Sequence, residues 1–132
     1  MLEGVVIILR RDKRFLVGKR SSWKQTAPNM WTSIAGKIEK GESESSAVVR
    51  EAWEEIGVRV KPLAKIEQAV TRDGSTRLHY WLGEITEGEP FLNNDENSEL
   101  KWLNIEEIKQ LENTFAEEIE ILNRVLNRPD VP

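Results

Sequence analysis

The order of apolar runs in this chain predicts an α/β protein, an α/β/α sandwich built on a mixed sheet. Three observations carry that expectation. Short β-type runs crowd the first third of the chain and recur beyond residue 58. One amphipathic segment, about Ser45 to Ile56, has helical spacing and lies between strands. Two further helical segments, Ile105–Leu111 and Phe115–Leu126, come after the last strand. Helices that fall both among and after the strands suit a sheet covered on both faces.

Taken in order, Val5–Leu9 and Phe15–Lys19 are β-type runs flanking the polar Arg10-Arg11-Asp12-Lys13, which reads as a hairpin. Ser21 to Asn29, with Pro28 and several polar residues, is a loop. Trp31–Ile34 is a short strand leading into a turn at Gly36. The helix that follows has Ser43 as N-cap, Glu44 at the positive end of its dipole and Gly57 as its stop. Val48, Val49, Ala52, Trp53 and Ile56 form its apolar stripe, expected to lie opposite its glutamates. Val58–Val70 is a strand bent near Pro62. Asp73-Gly74 is a turn, and Thr76–Glu84 a strand with Leu78, Tyr80 and Leu82 on one side. Leu100–Leu103 is a further strand. Ile119, Leu122, Val125 and Leu126 mark the inner face of the last helix.

A chain of 132 residues predicts one domain, 1–132, with a real core. Its 32% charged and 39% hydrophobic residues are those of an ordinary globular protein. The formal charge of −4 argues against a nucleic-acid polymer or an anionic membrane as partner, so a polyphosphate ligand needs a local basic cluster and metal. The absence of cysteine excludes disulfides and thiol chemistry and fits a cytoplasmic location. Val5–Leu9 is too short for a membrane span or a signal peptide. Whether the chain is a monomer or a homodimer is left open.

Glu51, Glu54 and Glu55 have the i, i+3, i+4 spacing of one helix face. Three carboxylates gathered there repel one another and call for a counter-charge, and a hard divalent cation such as Mg²⁺, with its preference for oxygen, supplies one. A cluster of glutamates on a helix is ordinarily a solvated face. That bland reading leaves unexplained the combination of Gly36, Gly41-Glu42 and Arg50-Glu51.

Gly36, Glu42, Arg50, Glu51, Glu54, Glu55, Gly57 and Val58 match the Nudix box, G-x5-E-x7-R-E-U-x-E-E-x-G-U, with Ala52 and Val58 as the apolar U positions. The fixed Gly, Glu and Arg positions would coincide by chance on the order of once in 10⁸ to 10⁹ starts. The box spans about a sixth of the chain, and weaker similarity to MutT-like members runs through most of the rest. One departure is Ala35-Gly36, where many members carry Gly-Gly; it bears on how the loop meets a phosphate. The resemblance implies the Nudix α/β/α fold and hydrolysis of a nucleoside diphosphate linked to a further group, by water attack on phosphorus with Mg²⁺ or Mn²⁺. It assigns Arg50, Glu51, Glu54 and Glu55 to catalysis, and Gly36, Glu51, Glu54, Glu55 and an outlying acid to the metal. Glu96 is the favoured outlying acid, with Glu99 the alternative and Asp95 a third. Glu42 supports the loop or an outer ion. Arg20, with Lys37 and Lys19 beside it in the reading, is expected to contact phosphate.

Of five tryptophans most belong in the core, while Trp31 and Trp23, around the loop before the box, are candidates for a substrate wall. His79, the only histidine, is expected to be structural or rim-facing rather than a catalyst. A nucleoside triphosphate or another nucleoside-diphosphate derivative is the expected substrate. The competing expectation is a nucleotide-sensing module without catalysis, which often lacks box glutamates that are all present here. The faint likeness of Lys19–Glu42 to isopentenyl-diphosphate isomerases fails because those enzymes need a cysteine.

Overall fold

Strands β1 (Leu2–Arg11), β2 (Arg14–Arg20), β3 (Trp31–Thr32) and β4 (Ile34–Lys37) precede helix α1 (Glu44–Ile56). Then come β5 (Arg59–Val70), β6 (Thr76–Glu87), β7 (Asn97–Asn104), α2 (Ile105–Lys109) and α3 (Ala116–Leu126). The computed structural model describes residues 1–128; residues 129–132, the end of the expected domain, lie outside the described residues.

Strands β4-β1-β6-β5 form a mixed sheet in which β1 and β6 run parallel and the other neighbours antiparallel. An antiparallel ribbon, β3-β2-β7, continues from it. The expected hairpin between β1 and β2 is realised only at its tip, through Arg10↔Phe15 and Arg11↔Arg14. Beyond those pairs the strands part, β1 to β4 and β6, β2 to β3 and β7. The cause lies in the Val5–Leu9 run, which is fully apolar rather than alternating and therefore suits a central strand covered on both faces. Val5, Ile7 and Leu9 face α1 together with Ile34, Val48, Ala52 and Ile56. Val6 and Ile8 face the other way, toward Ile105, Ile108, Ile121, Leu122 and Val125 of α2 and α3. The expected α/β/α layering follows, and truncating one of its buried isoleucines or leucines to alanine costs about 2–5 kcal/mol.

The strand expected over Trp31–Ile34 is split at Ser33, which is 1% exposed. Before it Thr32 pairs with Gly18 of β2; after it Ile34 pairs with Ile7 of β1. The Ser33 N–H, lost to the ladder at this crossing, donates to the buried Glu118 carboxylate of α3 at 2.7 Å. Gly36 does not turn the chain, as its place before the box suggested, but lies within β4 opposite Val5.

α1 begins and ends where the sequence indicated. Ser43 caps it, its side chain accepting the Ser46 N–H at 3.1 Å. Gly57 closes it with φ 68°, a left-handed conformation that disfavours any residue with a Cβ. Glu44 anchors the first turn to the sheet, accepting from Trp81 Nε1 at 2.9 Å and pairing with Lys65 at 3.0 Å. His79 is buried beside it as a structural bridge, 2.8 Å from Glu3 and 3.4 Å from Glu44. Among the described residues no helix is long and apolar enough to cross a membrane.

Candidate active site

The buried face of α1 carries acids as well as apolar side chains: Ala47, Val48, Ala52 and Ile56, but also Glu51 and Glu55. This corrects the expected stripe. At 100° per residue Glu55 stands only about 20° from Val48, while Trp53 stands about 140° away. Trp53 is accordingly 44% exposed, with the Arg59 guanidinium 3.9 Å from its ring centroid. Glu51 and Glu55 are 8% and 3% exposed. Glu54 points outward from the same turn, its side chain 52% exposed.

Gly36 explains how Glu51 fits. A Cβ added there would stand 2.0 Å from the Glu51 carboxyl carbon and 2.2 Å from Oε2. The glycine is therefore a cradle for that carboxylate. Its own carbonyl oxygen faces β1, 3.3 Å from where a Cβ on Gly4 would lie.

Arg50 ties the box together. Its Nε and Nη2 donate to the two Glu42 oxygens at 2.7 and 2.9 Å, its Nη1 to Glu51 at 2.9 Å and Glu54 at 3.0 Å, and Nη2 also to the Lys37 carbonyl at 2.8 Å. A planar guanidinium meets this fan of acceptors where an ammonium could not. The same contacts, with the Glu39 N–H, hold the Glu42 carboxyl down at about 2. Glu42 thus supports the loop.

Burial pushes the Glu51 carboxyl up against the opposing pull of Arg50. Burial, and then the charges of Glu51 and Glu96, push Glu55 up to about 9, with Lys24 pulling the other way. Glu55 Oε2 is buried without a hydrogen-bond partner. An unsatisfied carboxylate oxygen among like charges in a poorly solvated recess is costly unless a proton or a cation completes it. The donor set, all oxygen, fits a hard divalent ion. As the side chains stand, no three acids among the described residues are gathered around one point suited to an ion. Glu51 and Glu54 are turned to Arg50, and Glu96 to Lys24.

The outlying candidates separate cleanly. Glu96 stands near enough to raise Glu55, whereas Glu99 lies on β7 facing Lys19, 3.8 Å away, and Asp95 is exposed. Arg20 spends its guanidinium on the Thr26 carbonyl at 3.0 and 2.8 Å, folding the loop that follows β2. Lys37 is exposed at the end of β4, its carbonyl held by Arg50. Trp31 is not the substrate wall expected of it: it is 8% exposed and packs in the core beneath α2 and α3. Trp23 is 58% exposed on the loop. Two contributors escaped the sequence reading, Lys24 and Glu118. Both are defined by partners 72 and 85 residues away, and no local pattern marks them.

The family model for the NUDIX domain matches residues 2–125. The chain is 31% identical over 113 residues to the CTP pyrophosphohydrolase of Escherichia coli strain K12, covering 83% of this chain and 81% of that one. It is 28% identical over 129 residues to the NAD-capped RNA hydrolase NudC of Actinobacillus succinogenes, covering 94% of this chain but 48% of the relative. The chain spans about half or less of the NAD-capped RNA hydrolases that it matches. The MutT NUDIX hydrolase from Burkholderia pseudomallei shares the fold, with a TM-score of 0.82 and 22% identity over 94% of this chain and 97% of that one. The protein belongs to the NUDIX domain family.

Proposed function

We propose that the chain is a Mg²⁺-dependent pyrophosphohydrolase, with Mn²⁺ as a substitute, that cleaves a nucleoside triphosphate or another nucleoside-diphosphate-linked substrate by water attack on phosphorus. The observation that carries this reading is the buried Glu51–Glu55 pair, Glu51 cradled at Gly36 and Glu55 with its Oε2 unsatisfied. Glu51, Glu55 and Glu54 would hold the ion, and Glu96 would join them from the loop before β7. A bound divalent ion supplies charge neutralisation and a water of lowered pKa. Arg50 fixes the orientation of Glu51 and Glu54 and keeps Glu42 ionised. The recess on α1 limits water at the reacting centre, and Lys37, exposed at the end of β4, is the cation offered to the phosphate, since the Arg20 guanidinium is committed to the Thr26 carbonyl. A triphosphate is favoured because the CTP pyrophosphohydrolase is matched over most of both chains, whereas the NAD-capped RNA hydrolases are about twice as long.

A hydrolysis screen tests this: nucleoside triphosphates, sugar nucleotides and dinucleoside polyphosphates with Mg²⁺, products identified by mass, and chelator controls. Metal-dependent release of a nucleoside monophosphate is the expected result. Nucleotide binding without turnover on any of these substrates would make the chain a binding module and reject the enzymatic reading.

A further inference from the structure

The pairing of β2 with β7 slips after Lys19, bringing Arg20 opposite Asn97. The slip closes two loops onto each other. Ser21 N–H donates to the Glu96 carbonyl at 3.0 Å, Ser21 Oγ to the Asp95 carbonyl at 2.5 Å, and Lys24 N–H to the Ser21 carbonyl at 3.2 Å. Lys24 and Glu96 are thereby set in a direct ion pair, with the lysine side chain 21% exposed and the glutamate 34%. An exposed lysine keeps its ammonium hydrated at little energetic consequence, but this one is drawn inward to a carboxylate at the rim of an acidic recess. The exposed Trp23 ring lies 5.3 Å from the ammonium. Both partners act on Glu55, Glu96 raising its carboxyl and Lys24 lowering it. Beside Arg50, the recess thus already contains a second cation supplied by the protein, at Glu96.

We propose that Lys24 is a resident counter-cation: it occupies Glu96 in the free protein, gives way when a divalent ion enters, and then turns its ammonium to the substrate's phosphate. The proposal rests on the metal reading above. Before the ion arrives Glu51 is answered by Arg50, while Lys24 is the cation paired with Glu96 and the one that acts on Glu55. Afterwards the ion's charge repels that ammonium and competes for the same glutamate oxygen. Released at the rim, on a loop tied to the one carrying Glu96, the lysine is within reach of an anion bound to the ion. The protein therefore trades some metal affinity for a phosphate contact that forms only in the loaded state.

The test is Mn²⁺ binding to the full chain without nucleotide, read by electron paramagnetic resonance of the free ion, followed by steady-state kinetics on a triphosphate at saturating Mn²⁺. Lys24→Gln should tighten Mn²⁺ by roughly three- to tenfold, the range expected when one partly exposed ion-pair competitor is removed. Lys24→Arg, which keeps the charge, should bind Mn²⁺ as the parent does. Lys24→Gln should also raise KM for the triphosphate several-fold, with a smaller change in kcat. Unchanged or weakened Mn²⁺ binding in Lys24→Gln overturns the exchange, and an unchanged KM overturns the transfer to phosphate. Glu55→Gln separates the two levels. If it loses Mn²⁺ while Lys24→Gln matches the parent, the exchange alone fails. If it binds Mn²⁺ like the parent, the metal reading fails and takes the exchange with it.

Discussion

Replacing Arg50 by methionine keeps the aliphatic stem and removes the guanidinium that meets Glu42, Glu51, Glu54 and the Lys37 carbonyl. The contributions of these bonds do not add, because one group cannot be desolvated several times. Glu42 gives the better measure. Its carboxyl falls from 4.5 to about 2 on pairing, equivalent to about 3 kcal/mol at neutral pH. Solvent around side chains 27% and 15% exposed trims this to about 2 kcal/mol. Leaving Glu51 without its partner adds about 1 kcal/mol, the low end for a buried acceptor, because burial already pushes this carboxyl toward holding a proton. Arg50→Met should therefore be about 2–3 kcal/mol less stable at pH 7, or about 6–15 °C lower in Tm for a chain of this size. A carboxyl depressed in the fold stabilises it above the unfolded value, and that stability is lost as pH falls through the folded one. The gap between parent and variant should accordingly narrow as pH is lowered from 4.5 toward 2. Urea unfolding of both proteins in chelator, across that range and at pH 7, provides the assay. A variant within 0.5 kcal/mol of the parent at pH 7, or a gap that does not change with pH, would refute the assignment of Arg50 as the box's electrostatic tie.

Gly36→Ala forces the Glu51 carboxyl out of its cradle, so Mn²⁺ affinity and turnover should fall by about 10²-fold with the fold retained, checked by titration and circular dichroism. Glu54→Gln keeps the shape of an exposed side chain but removes its charge; turnover should drop by at least about 10²-fold with Tm nearly unchanged, measured by kinetics at saturating Mg²⁺. Glu118 is raised by burial from 4.5 to about 6, so the folded state holds its proton more tightly and stability declines as pH rises through that window, by about 2 kcal/mol in all. Glu118→Gln can still accept the Ser33 N–H; it should be more stable than the parent at pH 7.5 and match it at pH 4.5, and lower stability at pH 7.5 would contradict this.

The layered fold was legible from the order of its apolar runs and the residues that bound them. Val5–Leu9 announced a strand, Ser43 and Gly57 bounded the helix, and Asp73-Gly74 marked the β5–β6 turn. What local pattern could not supply was partner choice. A fully apolar strand gives no preference between the neighbour at its hairpin and a strand 70 residues on, so the parting of β1 from β2 and the switch at Ser33 emerge only in the assembled sheet. The box residues came from spacing, yet their burial did not: setting the apolar stripe opposite all the glutamates overlooked the small angle between Glu55 and Val48. Trp31 shows the reverse. Its position before the box suggested a substrate contact, but its strand pairs with β2 and turns the ring into the core. Lys24 carries no signal at all in its own segment, since only the β2–β7 register brings it to Glu96.

Crystals of the full chain equilibrated with Mn²⁺, with the ion located by its anomalous scattering, test the central claim most directly. The predicted result is a peak in contact with Glu51 and Glu55, with Glu96 turned away from Lys24 to meet it. A peak elsewhere on the surface, with both buried carboxyls still in their present company, would contradict it.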